Sequence, residues 1–303
     1  MRVFLTGASG WIGSAVIPEL LAHGHEVLGL ARSEAAAAQV ASSGAEVQRG
    51  DIQDLDVLRS GAEQTDGVVH LAFRHDIAWT GQFEQAAASD RRAIEAFGEV
   101  LAGSDRPLAV AAGVAGVNPG GIATERDHPS DEVSPRAASE RAVLALAQRG
   151  VRPISVRFAP TVHGTGDHGF IAQIVDADRS RGAAGYVGNG ENRWAAVHRG
   201  DAARLVRLGI EHAPAGSVLH AVGEEGVAMR EIAETIGRRF ELPATPISPQ
   251  EAGERFGFLG QFVGLDMAAS SAITRELLGW EPTGPTLLQD IQAGAYSNNG
   301  SPQ

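Results

Sequence analysis

Val3-Phe4-Leu5-Thr6-Gly7-Ala8-Ser9-Gly10-Trp11-Ile12-Gly13 runs an apolar strand into a helix through three glycines at fixed spacing. Gly7 suits the tight turn leaving the strand, Gly10 lets backbone N–H groups approach a pyrophosphate with no Cβ between, and Gly13 lets the helix lie close on the sheet. A phosphate would sit where the helix begins, among unpaired N–H groups and the positive end of the dipole. A glycine pattern alone is weak, and its context supplies the rest. The helix runs from about residue 11 to 23, closes at Gly24 and gives way to a second apolar strand over 26–31, a βαβ unit of about 30 residues. The stretch reads as a dinucleotide turn made by Gly7, Ser9, Gly10, Trp11, Ile12 and Gly13.

The end of the second strand bears on which dinucleotide binds. Selectivity for NAD usually takes an acidic residue there, accepting from the ribose 2′-OH. This chain has Leu30-Ala31-Arg32-Ser33. Arg32 can clamp a 2′-phosphate bidentately and Ser33 can donate to it; the other reading of Arg32 is a solvated residue at a strand end. NADP(H) is the cofactor expected.

The chain has 303 residues, 43% of them hydrophobic, enough to bury a full core as one globular unit or two fused lobes. A formal net charge of -12 argues against a nucleic-acid partner and against an anionic membrane surface. The absence of cysteine removes disulfides, thiolate nucleophiles and Cys-ligated metals. All 25 basic residues are arginine, so no lysine is present for Schiff-base chemistry or for lowering a neighbour's pKa. No apolar run approaches the ~18 residues of a membrane span, and Met1 leads straight into a core strand, so a cytoplasmic location is expected.

Apolar runs alternate with helical stretches over the first two thirds, as in a parallel sheet covered by helices on both faces. Strands are predicted over 2–6, 26–31, 45–48, 67–72, 107–112 and 153–158, with helices near 11–23, 34–43, 54–63, 83–103 and 135–149. The last helix is delimited by Ser134 as N-cap, Pro135 at its first position and Gly150 just past its end. From His163 to Asn192 the sequence is Gly-rich and less periodic. Helices near 200–212 and 228–239 follow, with a short strand around 217–221, and the end from Ser297 is polar and turn-rich, as a frayed tail would be.

On these residues the chain resembles the extended or atypical short-chain dehydrogenase/reductase superfamily, the group that includes the NAD-dependent epimerase/dehydratases. The resemblance covers about 1–290. It is carried by Thr6 to Gly13, by Gly50-Asp51-Ile52, by Val69-His70-Leu71-Ala72, by Arg157-Phe158-Ala159-Pro160-Thr161-Val162-His163-Gly164 and by Val197-His198-Arg199-Gly200-Asp201. It implies an α/β fold, a Rossmann-type doubly wound parallel sheet over 1–162 to which 193–222 returns. A smaller C-terminal substrate-binding part is then expected from 163–192 and 223–296, with 297–303 as a flexible tail. It also implies that Asp51 and Ile52 flank the adenine, that Leu71 and Ala72 line the cofactor, and that Pro160 to Val162 border the nicotinamide.

The chain departs from the family at its chemistry. Members normally carry a Ser or Thr after the fifth strand and a Tyr-x-x-x-Lys on the next helix. Here the strand ends Ala111-Ala112-Gly113-Val114 and the helix reads Arg136-Ala137-Ala138-Ser139-Glu140, with Arg136 in the tyrosine place and Glu140 in the lysine place. At i,i+4 the two can pair with each other for only ~0.2–0.5 kcal/mol, or Arg136 can anchor ribose or substrate.

The proton for a reduction must come from elsewhere. His163 follows the segment bordering the nicotinamide and by family position faces the cleft; the other reading is a structurally bonded histidine. His75, beside Asp76, follows the fourth strand at the carboxyl edge where ligands bind, and is otherwise part of a solvated loop. Of the two tyrosines, Tyr186 is the candidate, since Tyr296 lies near the tail. Trp79, Phe83, Tyr186 and Trp194 could line an aromatic pocket or serve packing. No His-Glu-x-x-His spacing or Gly-x-Ser-x-Gly elbow occurs, so neither a metal site nor a Ser-His-Asp hydrolase is expected.

The function expected is an NADPH-dependent reductase of a carbonyl, imine or activated alkene in a small organic molecule, with His163, His75, Tyr186 and Arg136 as the catalytic candidates. The alternatives are a non-redox isomerase, cyclase or lyase on the same fold, or a catalytically silent NADP(H)-sensing protein. A homodimer could form through the helices at 83–103 and 135–149.

Overall fold

The strand β1 (Arg2–Thr6) is buried at four of its five positions because it runs between two neighbours in a sheet covered on both faces. A computed structural model of the chain describes residues 1–78, 80–129 and 136–297. Through the first half the order is β1, α1 (Gly13–Ala22), β2 (Glu26–Ala31), α2 (Glu34–Ser42), β3 (Glu46–Arg49), α3 (Leu55–Glu63) and β4 (Gly67–His70). A short α4 (His75–Ala78) and a long α5 (Phe83–Leu101) lead to β5 (Pro107–Gly113), α6 (Ala137–Ala145) and β6 (Arg152–Phe158).

The second half begins with β7 (Thr161–His163), α7 (Phe170–Arg181), β8 (Ala184–Val187) and β9 (Arg193–His198). Then come α8 (Arg199–His212), β10 (Ser217–Ala221), β11 (Glu224–Ala228), α9 (Met229–Phe240) and β12 (Ala244–Ile247). Three helices close the chain: α10 (Pro249–Phe256), α11 (Ala272–Leu278) and α12 (Leu287–Ala293).

Seven parallel strands form the central sheet in the order β10-β6-β5-β4-β1-β2-β3, so the Rossmann-type doubly wound architecture is present. The winding reverses between β1 and β4, and in open α/β sheets the crevice outside the carboxyl ends at such a point is where ligands bind. A second hydrophobic core belongs to the C-terminal lobe, around Trp194, Ile232, Ile236 and Tyr296. Among the described residues no helix is long and apolar enough to cross a membrane.

Several elements differ from expectation for visible reasons. β4 stops at His70 because Leu71 and Ala72 turn out of the ladder, with the Ala72 N–H donating to Thr6 Oγ1 at 3.3 Å. The helix expected over 135–149 is α6 followed by a 3-10 turn at Leu146–Arg149, closed by Gly150 in the left-handed region; Ser134 and Pro135 lie outside the described residues. The Gly-rich stretch holds a full helix, α7, with Ile171, Ile174, Val175 and Asp178 buried at helical spacing. Of 193–222 only α8 and β10 return to the central sheet, whereas β9 joins β7 and β11 in a separate three-stranded sheet. Tyr296, expected near a frayed end, is fully buried.

Candidate cofactor and substrate cleft

The glycine turn is built as a cradle. Gly7 has φ +70°, and a Cβ there would stand 2.8 Å from the Ala72 nitrogen; a Cβ on Gly13 would stand 2.1 Å from the Gly7 carbonyl oxygen. Two glycines therefore let backbone meet backbone, while Gly10 closes the turn by donating its N–H to the Gly7 carbonyl at 2.9 Å. Trp11 crosses from this turn to the opposite wall, its indole N–H donating to the Val162 carbonyl at 2.7 Å. Arg199 lies over that indole at 4.1 Å and donates to Ser14 Oγ at 2.6 Å.

Between these walls runs a cleft of about 640 Å³ that every residue expected at the cofactor lines, Ser33 excepted. Its size and the backbone of the glycine turn at the start of α1 fit a nicotinamide dinucleotide, with Gly10 placing no Cβ on the cleft wall. Ser33 is instead the N-cap of α2, its Oγ accepting from the Ala36 N–H at 3.2 Å, which leaves its own O–H as a donor.

Charges gather where the ribose of the adenosine would lie. Arg32 is well exposed, and its Nη1 is 3.6 Å from Asp76 Oδ2. Arg74, which the sequence reading passed over, grips the same carboxylate with two prongs, Nε to Oδ1 at 2.8 Å and Nη2 to Oδ2 at 2.9 Å. Those bonds hold the Asp76 pKa down at about 2. Asp76 therefore serves the arginines and does not orient its neighbour His75.

At the other end, Ala111 and Ala112 offer only backbone, and Arg136 fills the space. Its guanidinium donates to the Ala111 carbonyl, lies 4.4 Å over the Phe73 ring and has Nη2 3.9 Å from the fully buried Asp90. Asp90 in turn stands 3.3 Å from His70 Nε2, and His70 Nδ1 meets Thr6 Oγ1 at 2.7 Å. Arg136, His70 and Ser139 together hold the Asp90 carboxyl below the usual range against the opposing pull of burial. His75 meets the edge of the same Phe73 ring at 5.1 Å. Crowding by protein atoms and the nearby Arg136 cation push its pKa down.

The i,i+4 pair of Arg136 and Glu140 does not form. Glu140 faces inward and takes a two-pronged bond from the fully buried Arg157, Nε at 2.8 Å and Nη2 at 3.0 Å, with Ser155 Oγ donating at 2.5 Å. Its partner belongs to β6, too far along the chain for helical spacing to reveal.

His163 does not reach the cleft. Alternation along β7 turns it into the protein, where it is fully buried with Nδ1 2.6 Å from Asp290 Oδ2 and Nε2 3.7 Å from Glu224 Oε2. Tyr186 is likewise elsewhere, half-buried on β8 beneath Arg230 at 5.1 Å. Trp194 is core, its ring 6.0 Å from that of the cleft-lining Phe170; Phe83 backs Phe73 at 5.5 Å, and Trp79 lies outside the described residues.

Asp167 and His168 line the cleft, though neither is among the residues expected to bind the cofactor or to catalyse. Asp167 accepts from the Gly169 N–H at 2.6 Å and from the Tyr296 hydroxyl at 3.0 Å. Burial nevertheless raises its pKa, while burial and the adjacent Asp167 charge raise that of Tyr296. An Asp three residues before a helix start was the available signal, and it marks a turn as readily as a site. Among the described residues no group of three or more His, Cys, Asp or Glu side chains could hold a metal.

Comparison with known proteins agrees with this architecture. The family model described as NAD dependent epimerase/dehydratase matches residues 3–222. Uncharacterized protein C2A9.02 of Schizosaccharomyces pombe is 44% identical over 297 residues, covering 98% of this chain and 100% of that protein. A 4-hydroxy-2-methyl-3-oxo-4-farnesyl-3,4-dihydroquinoline-1-oxide ketoreductase of Stigmatella aurantiaca is 25% identical, covering 85% of this chain and 80% of that protein. In fold, the chain is similar to a double mutant of the dTDP-glucose 4,6-dehydratase DesIV of Streptomyces venezuelae, solved with NAD and DAU, at a TM-score of 0.77 and 20% identity, covering 99% of this chain and 98% of that one.

Proposed function

This chain belongs to the NAD dependent epimerase/dehydratase family, and from that premise we propose that it is an NADPH-dependent reductase of a carbonyl, imine or activated alkene in a small organic molecule. The observation that carries the reading is the pairing of Arg136 and His75 about Phe73 on the wall of the cleft where the usual tyrosine and lysine have been replaced. The ketoreductase among the relatives supports the same class of chemistry.

Bound in the cleft, a reduced nicotinamide supplies a hydride. The protein's own part is to orient the acceptor and provide for its charge. The Arg136 cation, fixed by the Ala111 carbonyl and the Phe73 face, is placed to receive the oxygen or nitrogen on which negative charge grows. His75 is the proton source. Its pKa is held below the ordinary histidine value, so it releases a proton readily to a basic alkoxide or amide anion. The Trp11 bond to Val162 ties the two walls together and limits water at the reacting end.

The deciding experiment follows deuterium from 4-labelled NADPH into a panel of ketones, imines and enones by mass spectrometry, with NADP+ counted against product. Stoichiometric transfer is expected. Product formed without added nucleotide would replace this reading by a non-redox one, and tight NADPH binding with no transfer across the panel would replace it by a sensing one. Arg32→Asp is expected to weaken NADPH far more than NADH; equal loss of both would remove the 2′-phosphate assignment.

A further inference from the structure

Asp76 has an unusual place for a carboxylate. It is held among the arginines where a cofactor phosphate is expected, although its charge would repel that phosphate. Arg32 sits at the end of β2 and Arg74 follows β4, so the two arginines converge from strands on either side of β1. Arg32, Arg74 and Asp76 all line the cleft, and Asp51 of the adenine end lies near enough to act on Arg74 electrostatically.

The two arginines hold Asp76 differently. Arg74 makes the parallel two-pronged contact, the same geometry a guanidinium uses on a phosphate. Arg32 stands at 3.6 Å, beyond hydrogen-bond length, with a side chain 61% exposed and able to turn. Both Asp76 oxygens already accept from Arg74, so the carboxylate is poorly placed to take over the ribose 2′-OH in the way an acidic residue at the end of β2 would.

We propose that Asp76 sets how strongly the protein tells NADPH from NADH: it is a built-in anion that competes with the 2′-phosphate for Arg32, while Arg74 is a second phosphate ligand that it keeps in place. The proposal rests on the NADPH reading above. A 2′-phosphate arriving at Arg32 draws that guanidinium off Asp76 and gains donors from Arg74, which carries more N–H groups than its carboxylate partner uses. The discrimination is then a difference between two anions at one cation. Removing the resident anion sharpens it.

The test is fluorescence titration of the whole protein with NADPH and NADH, and with adenosine 2′,5′-bisphosphate against 5′-AMP, for the parent chain and for Asp76→Asn, Arg74→Ala, Arg32→Ala and the Asp76→Asn/Arg32→Ala double variant. Asp76→Asn is expected to tighten NADPH and the bisphosphate by about two- to fivefold, the range for a partly exposed ion pair, with NADH and 5′-AMP unchanged. Arg74→Ala weakens the two 2′-phosphorylated ligands alone, and the gain from Asp76→Asn vanishes when Arg32 is absent. An unchanged NADPH to NADH ratio in Asp76→Asn, or weaker NADH in that variant, overturns the proposal. A parent chain that binds NADH as tightly as NADPH overturns the NADPH reading itself. A parent that prefers NADPH through Arg32 but is indifferent to Asp76 overturns only this inference.

Discussion

The cleft carries arginine–carboxylate contacts beneath its reacting end and at its adenosine end, in opposite settings. At the adenosine end Arg32 is 61% exposed and Asp76 42%, and their contact can be exchanged for another at little cost. Beneath the reacting end Arg157 is fully buried against Glu140, and Arg136 reaches toward an Asp90 that is fully buried as well. There the buried charges of Arg157, Glu140 and Asp90 need their partners, because burial keeps solvent from replacing them. One end holds an exposed, loosely made pair, the other buried pairs of fixed geometry.

The contrast is broken most directly at Glu140. Glu140→Ala leaves Arg157 buried without its counter-charge and is expected to cost about 3–5 kcal/mol in urea unfolding, whereas Arg157→Leu with Glu140→Met restores most of it. A loss within the range of a surface pair would show that water reaches this region and that the two ends do not differ. Next in size is Gly13→Ala. Its Cβ would fall 2.1 Å from the Gly7 carbonyl oxygen, so backbone must move, at roughly 1–3 kcal/mol, and NADPH titration should show affinity lost with it. Full retention of binding would mean that the turn adapts and that its tightness is not what receives a phosphate.

A smaller effect belongs to the Asp167 and Tyr296 pair, between the cleft and the second core. Burial raises the Asp167 pKa, so the folded protein prefers that group protonated. Its contribution to stability is then present below the usual carboxylate range and lost as pH rises toward the raised value. Asp167→Asn should flatten that part of the stability–pH curve above about pH 4. Tyr296→Phe removes a donor that favours the charged form and should steepen it, with a loss of about 1–2 kcal/mol at neutral pH. Parallel curves for the parent and Asp167→Asn would show that Asp167 titrates as an exposed group does.

The difference between the ends also explains what a linear reading could reach. The glycine turn, Arg32 and the strands of the first half are placed by short-range rules, of spacing, turn chemistry and alternation, which the chain carries locally. Ser33 shows the limit of that reading, since an N-cap and a phosphate donor have the same residue type. At the reacting end and in the protein behind it the contacts join residues far apart in the chain: Arg136 with Asp90, Glu140 with Arg157, His163 with Asp290, Asp167 with Tyr296. His163 was misplaced because a three-residue strand sends alternate side chains to opposite faces, and family position did not say which. α7 was hidden by glycines on either side of an ordinary apolar spacing.

The smallest effect expected is at His75, where two groups of the reacting end share one electrostatic environment. The Arg136 cation is among the causes that lower the His75 pKa, because it disfavours a second positive charge beside it. A histidine lowered in the folded chain contributes stability above its unfolded pKa of about 6.5 and loses it as pH falls through the depressed value. If His75 donates the proton, turnover declines as pH rises through that same depressed value. Arg136→Gln removes the cation and keeps an amide, so the decline should move to higher pH. The height of the profile falls separately, because charge on the acceptor is less well met. Position and height are thus independent readings, and a proton NMR titration of the His75 ring checks the first without any turnover. A ring that titrates at the same pH in both proteins would show that Arg136 acts on the acceptor alone, and the fixed electrostatics argued for this end would reduce to the buried pairs beneath it.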